Sequence, residues 1–367
     1  MKVALIHDHL AQDGGAEKVL KVFTELFPEA PIYTLLYEKK NADKYFKDKR
    51  IETSIIQRLP GGVKHYKWYM PFMPMAVEFF DLREYDLVIS DASAFAKGVI
   101  TLPETFHICY CHTPTRYLWD YTHQYINELN YNKYFKKIIS LVLNYIRIWD
   151  QHASGRVDKF IANSISVKKR IAKYYRRGAV VIYPPVDLGL FSISKDLGDY
   201  FLIGGRLAPY KRVDIVIEAF LKLDYKLKIF GDGVDMKRLK KIAGDSKNIE
   251  FLGRIDDEAK ARLYSRCRAF INPQYEDFGI TAVEAMASGR PVIAYRRGGA
   301  VETIKENITG VFFDDQTPAG IMKAISDFEK ISFNPEEIKQ RTKQFSTERF
   351  KEEIKKYIDE EYKKFKK

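Results

Sequence analysis

The sequence predicts an α/β protein that consists of two doubly wound domains. Short β-rich runs alternate with helical stretches, which indicates parallel sheets with crossover helices. The alternation restarts after Pro184-Pro185, a stiff extended pair typical of a linker. With 367 residues, the chain is long enough for two such domains. We therefore assign residues 1–185 and 186–346 to two Rossmann-like domains and residues 347–367 to a charged C-terminal helix.

Each predicted element follows from a short run of sequence. The strands predicted in the first half are Val3–His7, Ile32–Tyr37, Asp86–Ser90, Phe106–Cys111, Lys159–Ala162 and Val180–Tyr183. Those in the second half are Phe201–Gly204, Lys226–Phe230, Ile249–Leu252, Ala269–Ile271 and Val292–Ala294. The predicted helices include Ala16–Phe27, Val213–Leu223 and Met236–Ile242. Because ligands of doubly wound sheets bind at the carboxyl ends of strands, residues that follow strands are the first candidates for a site.

The composition is that of a packed globular protein, with 46% hydrophobic residues. The chain has 61 Lys and Arg residues and 49 Asp and Glu residues, which gives a net charge of +12. Such a charge is typical of a solvated, lysine-rich surface, or of a protein that binds phosphate-bearing ligands, nucleic acid or an anionic membrane. The charge alone does not choose between them.

Cysteine usage and the N-terminus favour a cytoplasmic location. The cysteines at positions 109, 111 and 267 form no disulfide framework, and Cys109-Tyr-Cys111 lacks the second pair that a zinc site needs. The N-terminal apolar run leads at once into His7-Asp8-His9, which favours a first strand over a signal peptide. No run of 18 apolar residues is present, so we expect no membrane-spanning helix.

The stretch that begins with Glu276-Asp-Phe-Gly-Ile and contains Glu284 is the most informative in the chain. Gly279 argues against one continuous helix, so we place Glu276 on a loop and start the helix near Ile280, with Glu284 about a turn in. The backbone amides of Phe278, Gly279 and Ile280 then suit an anion. A carboxylate on each side of a phosphate-sized site could hold hydroxyl groups, which is the layout of a sugar-nucleotide pocket.

Two basic residues follow a strand of the second half. Arg206 lies at the carboxyl end of Phe201–Gly204, and Lys211 comes just before a helix. A guanidinium and an ammonium together suit a diphosphate, although a surface loop would also carry such residues. The chain has no Asp-x-Asp tripeptide, so we expect Arg206, Lys211 and the helix start near Gly279 to stabilise a leaving diphosphate without a metal.

The first half offers a glycine turn in Asp13-Gly14-Gly15-Ala-Glu17. Gly15 would let the backbone approach a phosphate at a helix start, or the pair would only form a strained turn. The third glycine of the dinucleotide fingerprint is missing.

His112 follows the predicted strand Phe106–Cys111. Its neutral ring could contact a transferred sugar, or it could be a hydrogen-bonded structural histidine. Arg116 and Trp119 could hold an acceptor, or form a salt bridge and part of the core. In the second half, the turn with Arg254 and Ile255 could contact a base and ribose.

Residues 122–150 interrupt the alternation of the first half. The part Lys133–Trp149 mixes Lys and Arg with Ile, Leu, Tyr and Trp, so a helix there is amphipathic and basic. It is either a domain helix that packs its apolar face or a helix that meets a membrane surface or a lipid acceptor.

Taken together, GGAEKV, CHTP, GRLAPYKR, IFGDG, FLGRI and EDFGITAVEAMASGRPVIA resemble the retaining glycosyltransferases of family 4. The resemblance covers nearly the whole chain and implies the GT-B fold, in which two Rossmann-like domains face a central cleft and the C-terminal helix crosses back to the first domain. The CYCHTPTRYLWD block and the early HDHL and GGAE are most similar to bacterial O-antigen mannosyltransferases. Residues 122–150 match no general motif of the family.

The resemblance also implies a role for each candidate residue. Glu276 lies against the donor sugar, Glu284 holds the ribose, and Arg254 and Ile255 border the base. The diphosphate is bound by Arg206, Lys211, the amides of Phe278, Gly279 and Ile280, and Gly15 from the other domain. His112 contacts the sugar near the anomeric centre.

The implied activity is the retaining transfer of a hexose, with mannose from GDP-mannose as first choice, to a saccharide hydroxyl. The acceptor is expected to be linked to a polyprenyl diphosphate at the inner face of the membrane, with no cofactor and no metal. The alternatives are a UDP-sugar donor, a GT-B sugar-nucleotide epimerase and a non-catalytic sugar-nucleotide-binding protein. A nucleic-acid binder is disfavoured, because the basic residues form no recognisable module.

Overall fold

A computed structural model describes residues 1–11, 14–129 and 131–367. Asp13 of the predicted glycine turn therefore lies outside the described residues. Contacts within the chain divide it into two units. The N-terminal unit comprises Met1–Tyr183 and Phe350–Lys367, and the C-terminal unit comprises Pro184–Arg349.

The N-terminal unit is built on a parallel sheet of seven strands. These are β1 (Val3–Leu10), β2 (Ile32–Tyr37), β3 (Ile51–Thr53), β4 (Leu87–Ala92), β5 (Phe106–Cys111), β6 (Lys159–Ala162) and β7 (Ala179–Val181). The helices of its first segment include α1 (Gly15–Leu26), α2 (Lys39–Phe46), α3 (Met73–Glu78), α4 (Thr122–Glu128), α5 (Lys133–Ser154) and α6 (Ile165–Arg170). The strand order is β3-β2-β1-β4-β5-β6-β7, so the winding direction switches between β1 and β4.

Both faces of this sheet are covered by apolar side chains, because successive residues of a strand point to opposite faces. Leu5 of β1 belongs to a buried cluster with Phe23 of α1 and Tyr110 of β5. Its neighbours Ala4 and Ile6 belong to a second cluster, on the opposite face. Burial on both faces is typical of a parallel sheet with crossover helices.

The C-terminal unit has a parallel sheet of six strands. These are β8 (Tyr200–Gly204), β9 (Lys226–Phe230), β10 (Ile249–Gly253), β11 (Phe270–Asn272), β12 (Val292–Tyr295) and β13 (Gly310–Phe313). Its helices include α7 (Val213–Phe220), α8 (Met236–Ala243), α9 (Asp257–Arg266), α10 (Ile280–Ala287), α11 (Ala300–Thr303), α12 (Pro318–Phe328) and α13 (Pro335–Arg341). The order is β10-β9-β8-β11-β12-β13, so the switch lies between β8 and β11.

The last helix, α14 (Thr347–Phe365), contributes to the core of the N-terminal unit. Its buried residues Phe350, Ile354 and Ile358 join the apolar cluster of the N-terminal sheet. The Phe350 ring centroid lies 5.9 Å from that of Phe23 and 5.6 Å from that of Tyr110. The predicted charged helix at the C-terminus is thus present, and its apolar side completes a sheet face.

The predicted pair of parallel α/β domains is confirmed. Strand β1 continues three residues beyond the predicted end at His7, because His9 and Leu10 pair with Leu36 and Tyr37 of β2. Strands β3 and β13, of three and four residues, were not predicted. No helix in the described ranges is both long and apolar enough to cross a membrane.

Candidate active site

The carboxyl edge of the C-terminal sheet has its switch point between β8 and β11. In doubly wound sheets, ligands bind in the crevice at this point. The loop after β8 carries Arg206 and the short 3₁₀ turn Pro209–Lys211, and the loop after β11 carries Glu276 and leads into α10. The two loops with the strongest sequence signals therefore flank the same crevice.

An ion pair between Lys211 and Glu276 joins these two loops. Nζ of Lys211 contacts Oε1 of Glu276, and the two side chains are 19% and 21% exposed. Burial opposes the charge of Lys211, but the carboxylate of Glu276 outweighs this effect and raises the pKa of the lysine. The lysine is therefore cationic at neutral pH, and the pair is partly exposed to solvent.

Glu276 accepts a hydrogen bond from the first of two side-chain amides, Gln274 and Asn272, that are hydrogen-bonded to each other. Nε2 of Gln274 lies 3.0 Å from Oε1 of Glu276 and 2.6 Å from Oδ1 of Asn272, to both of which it donates. Asn272 is the last residue of β11 and is fully buried, and its Nδ2 has no hydrogen-bond partner within the described ranges. A buried donor without a partner is costly, so this amide is a candidate contact for a bound molecule.

A glycine pair after β12, Gly298-Gly299, fixes the backbone of the Glu276 loop. The N–H of Gly299 donates to the carbonyl of Glu276 at 2.9 Å. Gly298 has a φ of 63°, and a Cβ there would lie 2.1 Å from the same carbonyl oxygen. A Cβ on Gly299 would lie 2.5 Å from Cα of Phe278. Only glycine permits this approach, so the pair sets the position of Glu276 and of the start of α10.

Helix α10 begins at Ile280, where the sequence predicted it. Gly279 precedes it with a φ of 89°, in the left-handed region that favours glycine. Phe278 is buried, and its ring centroid lies 5.4 Å from that of Phe345, so its side chain anchors the loop. An α-helix leaves its first N–H groups without partners inside the helix, and with the helix dipole they favour an anion here.

Glu284, one turn into α10, lies deeper than Glu276 and has separate partners. It is 2% exposed; its Oε1 accepts from Nζ of Lys260 at 3.2 Å and its Oε2 accepts from the hydroxyl of Tyr264 at 3.4 Å. Burial and this carboxylate raise the pKa of Tyr264, which therefore remains a neutral donor. The role of Glu284 toward ribose stays a prediction.

The remaining candidates of this unit lie along the same sheet edge. Arg206 is exposed, and its Nη2 donates to the Tyr210 hydroxyl at 2.9 Å, on the loop that carries Lys211. Arg254 and Ile255 follow β10, the outermost strand on that side, and Nε of Arg254 lies 3.8 Å from Oδ2 of Asp232. Their roles toward diphosphate and base stay predictions.

The N-terminal sheet holds a buried network at its own switch point, between β1 and β4. Asp91 of β4 uses both carboxylate oxygens: Oδ1 lies 2.6 Å from Nε2 of His112, and Oδ2 lies 2.9 Å from Nδ1 of His7. Burial would raise the pKa of Asp91, but the two imidazoles lower it below its ordinary value. Burial would lower the pKa of His7, yet Asp91 and Glu17 raise it to about 10. Asp91 and His7 therefore form a charged pair beneath His112.

Glu17 of α1 extends this network to the predicted glycine turn. Its Oε1 lies 3.8 Å from Nε2 of His7, and its Oε2 accepts from the N–H of Gly14 at 3.0 Å. Gly15 is the first residue of α1. The structure thus connects His112 with the helix start at Gly15 through buried polar groups.

Asp8 of β1 holds the loop that follows β4. Its carboxylate accepts from four consecutive backbone N–H groups, those of residues 93–96, at 2.6 to 2.8 Å. Burial would raise the pKa of Asp8, but the nearby imidazoles of His9 and His7 and these N–H groups lower it. The loop beside Asp91 is therefore fixed to β1.

The two acceptor candidates are held inside the N-terminal unit. Nε1 of Trp119 donates to Oδ2 of Asp150 at 2.8 Å, and its ring stacks on Tyr174 at 4.8 Å. Nε of Arg116 lies 3.9 Å from Oδ2 of Asp120. Trp119 and Arg116 thus each have a structural partner within the unit. Their role in acceptor binding stays a prediction.

Sequence reasoning missed Asp91, Asn272 and Gly298. Each lies just inside or after the carboxyl end of a strand, which is the signal that selected His112. Asp91 was hidden because its partner His7 is 84 residues away. Gly298-Gly299 repeats the pattern of a Gly-Gly pair after a strand, already noted near the N-terminus.

Two protein families match consecutive parts of the chain. Residues 13–190 match Glycosyltransferase Family 4, and residues 193–345 match Glycosyl transferases group 1. These two ranges contain almost all strands of both sheets.

Characterised and uncharacterised glycosyltransferases are among its relatives. The chain is 30% identical over 227 residues to an uncharacterised glycosyltransferase of Methanocaldococcus jannaschii, across 58% of this chain and 63% of that relative, less than two thirds of its length. It is 26% identical over 297 residues to the alpha-1,3/1,6-mannosyltransferase ALG2 of Mus musculus, across 71% and 68% of the two chains. It is 31% identical over 183 residues to a GDP-mannose-dependent alpha-mannosyltransferase of Mycolicibacterium smegmatis, across 45% and 47%.

Solved structures share the fold. HepE of Anabaena, solved in complex with UDP, matches with a TM-score of 0.70 and 18% identity, across 98% of this chain and 100% of that chain. Sucrose-phosphate synthase of Thermosynechococcus elongatus matches with a TM-score of 0.73 and 16% identity, across 98% and 99%. The fold is of the GT-B class. The two matched domain models, which together span most of the chain, are both models of glycosyltransferases.

Proposed function

We propose that this protein transfers a hexosyl group from a nucleotide sugar to a hydroxyl of a saccharide acceptor, with retention at the anomeric carbon. The observation that carries the proposal is the Lys211–Glu276 pair at the switch point of the C-terminal sheet, beside the start of α10. This arrangement combines a cation and helix amides, which suit a diphosphate, with a carboxylate, which suits a sugar.

The C-terminal unit binds the donor in this proposal. Arg206, Lys211 and the amides of residues 278–280 bind the diphosphate. Glu276 faces the transferred sugar, and Glu284 takes the ribose hydroxyls. Arg254 and Ile255 border the base.

The N-terminal unit contributes Gly15 to a phosphate and His112 to the sugar near its anomeric carbon. Arg116 and Trp119 are proposed contacts of the acceptor. The position of His112 at the switch point of its sheet, on a buried aspartate, supports a defined orientation of its ring.

The proposed chemistry is a same-face displacement. The bond between the anomeric carbon and the leaving phosphate oxygen breaks while the acceptor oxygen approaches from the same side, and the acceptor proton passes to the leaving phosphate. Glu276 orients the sugar and stabilises the positive charge that develops on it. Arg206, Lys211 and the α10 N-terminus stabilise the negative charge on the leaving group without a metal.

GDP-mannose is the proposed donor, supported by the mannosyltransferases among the relatives. A UDP-sugar is the second candidate, supported by the UDP complex of HepE. The proposed acceptor is a saccharide on a polyprenyl diphosphate, in polysaccharide assembly at the inner face of the membrane. The likeness of the CYCHTPTRYLWD block to O-antigen mannosyltransferases supports this acceptor.

A thermal-shift screen with GDP, UDP, ADP and their sugars tests the donor. A nucleotide that binds only the folded state adds about 2.7 kcal/mol of stability at 100 times its Kd, so the preferred base should stand out. NMR of the product would then give the anomeric configuration. The proposal fails if no nucleotide sugar stabilises the protein, or if the product is inverted.

The same thermal-shift and product measurements distinguish the two alternatives, an epimerase and a non-catalytic binding protein. An epimerase would invert a sugar carbon of the donor without any transfer. A non-catalytic binding protein would show the thermal shift but neither transfer nor donor hydrolysis.

A further inference from the structure

Helix α5 has two apolar sides, and only one of them packs on the domain. Leu143, Ile146 and Ala153 are buried against the N-terminal unit. On the other side, five large apolar side chains are 54% to 73% exposed, and we call them the α5 stripe: Tyr134, Ile138, Leu141, Tyr145 and Ile148. An exposed apolar set of this size calls for a partner.

The α5 stripe forms one continuous line along the helix. Its members are spaced by four, three, four and three residues, which keeps them within about 40° of a common line at 100° per residue. The line is about 21 Å long, from the 1.5 Å rise per residue. It lies parallel to the helix axis, which suits a contact along a flat surface.

The helix is held firmly without the stripe. Oδ1 of Asn132 caps its start and accepts from the N–H of Tyr134 at 3.0 Å. Near its other end, the buried carboxylate of Asp150 pairs with Lys97 at 2.5 Å and accepts from the Tyr175 hydroxyl at 2.9 Å. The stripe is thus presented by a fixed helix whose folding depends on its opposite side.

The charge around the stripe selects its occupant. Residues 131–149 contain Lys133, Lys136, Lys137 and Arg147 and no Asp or Glu. Lys133 and Lys137 lie on one flank of the stripe, whereas Arg147 turns inward and donates to the hydroxyl of Thr122 at 3.3 Å. A twofold contact of stripe against stripe would bring together two surfaces of the same positive charge, which is unfavourable. An anionic lipid surface instead matches the apolar line, the tyrosines and the flanking lysines.

We propose that the α5 stripe lies in the interface of an anionic lipid bilayer. Its five side chains would enter the boundary between headgroups and acyl chains, and Lys133 and Lys137 would contact headgroup phosphates. This deepens the proposed function, on which it rests for the lipid-linked acceptor. The contact itself requires only α5 and no membrane-spanning helix.

Vesicle flotation of the full chain tests the proposal. Wild type should float with phosphatidylcholine vesicles that contain phosphatidylglycerol, more weakly in high salt and with phosphatidylcholine alone. Ile138→Ser with Leu141→Ser should lower the partition coefficient by about tenfold or more, because this apolar area no longer leaves water. Lys133→Gln with Lys137→Gln should weaken binding to the anionic vesicles only.

Matched controls remove equivalent side chains elsewhere. Leu197→Ser with Leu221→Ser removes two exposed leucines of the C-terminal unit, and Lys222→Gln with Lys237→Gln removes two exposed lysines. Both control variants should float like wild type. Sedimentation velocity of each variant checks folding and oligomeric state.

Three results would overturn the proposal: no flotation of wild type at low salt, flotation of the stripe variant equal to its control, or a dimer that the stripe variant dissociates. The nucleotide thermal shift needs no vesicles. A retained shift without flotation would therefore reject the lipid surface alone, and flotation without any shift would reject only the proposed transfer.

Discussion

Asp91 holds His112 through a hydrogen bond of 2.6 Å between Oδ1 and Nε2, while its other oxygen is occupied by His7. Because both oxygens are used, the ring of His112 is oriented and its Nδ1 is the nitrogen not committed to Asp91. His112 is 13% exposed and Asp91 only 1%. A partly exposed histidine is thus hydrogen-bonded to a fully buried carboxylate. In metal sites, carboxylates bonded to the liganding histidines fix the orientation of the ring in the same way.

The first prediction concerns this support. Asp91→Asn should lower kcat about tenfold to a hundredfold, as is typical when the partner of a functional histidine is lost. The KM for the donor should change little, because Asp91 does not reach the nucleotide in the proposed function. A cycle with His112→Ala should be strongly non-additive. Equal effects of Asp91→Asn in the wild-type and His112→Ala backgrounds would contradict the positioning role.

The second prediction concerns pH and His7. The pKa of His7 rises from 6.5 to about 10 on folding, so its stabilising effect is complete below about pH 6.5 and is lost as the pH rises to about 10. His7→Gln should be less stable than wild type at neutral pH, and the difference should shrink toward pH 10. Thermal unfolding across this range measures the difference. If the variant does not fold, NMR titration of the His7 ring in the wild-type protein tests the raised pKa directly. A neutral His7 imidazole at pH 7.5 would contradict the prediction.

The third prediction concerns the ion pair of the C-terminal unit. Glu276→Gln should raise the barrier by about 2–4 kcal/mol, because a group that stabilises developing charge is lost. Lys211→Ala should raise the donor KM as well. As a control, Asp199→Asn removes an exposed carboxylate that pairs with Lys226 in the same unit and should leave the kinetics unchanged. Full kcat in Glu276→Gln would remove Glu276 from the proposed chemistry.

The fourth prediction tests the glycine contact behind Glu276. Gly298→Ala should lower kcat/KM about tenfold or more, because a Cβ 2.1 Å from the Glu276 carbonyl must displace the loop. Gly244→Ala is the control for a positive φ: its φ of 56° also penalises a residue with a Cβ, but a Cβ there meets no atom within 4 Å. Both variants should lose some stability, and only Gly298→Ala should lose activity. Equal activities would show that the contact does not position the site.

The fifth prediction concerns metals. The proposed leaving group is stabilised by Arg206, Lys211 and helix amides, so excess EDTA should leave the initial rate unchanged. The rate with added Mg²⁺ or Mn²⁺ should remain within about twofold of the EDTA rate, since no step in the proposed function needs a divalent ion. A rate that EDTA abolishes and Mg²⁺ restores would contradict this part of the proposal.

The sequence predicted the C-terminal unit's site loops well, because their signals are local. The loop position of Glu276, the helix start at Ile280 and the place of Lys211 after β8 each follow from a few neighbouring residues. Their mutual contact could not be predicted, since it depends on β8 and β11 becoming neighbours although 65 positions separate Lys211 from Glu276. The rule that ligands bind at the switch point predicts that these two loops flank one crevice. It does not predict which of their side chains touch.

The buried groups of the N-terminal unit were harder to predict. The predicted first strand ended at His7, whereas His7 and Asp8 both lie within β1 and are buried. The hydrogen-bond partners of these two side chains, Asp91 and the backbone of residues 93–96, lie 84 or more residues away along the chain. Burial of a polar residue depends on partners from distant segments, so a local sequence pattern does not predict it.

The N-terminal unit is assembled from both ends of the chain, since Phe350, Ile354 and Ile358 complete one of its apolar layers. During synthesis its first 183 residues emerge long before these side chains exist. The C-terminal unit, by contrast, is continuous in sequence and can close as soon as it is made. We therefore expect maturation to run against the usual N-to-C order, with the first-made unit finished last and its open layer exposed to chaperones meanwhile.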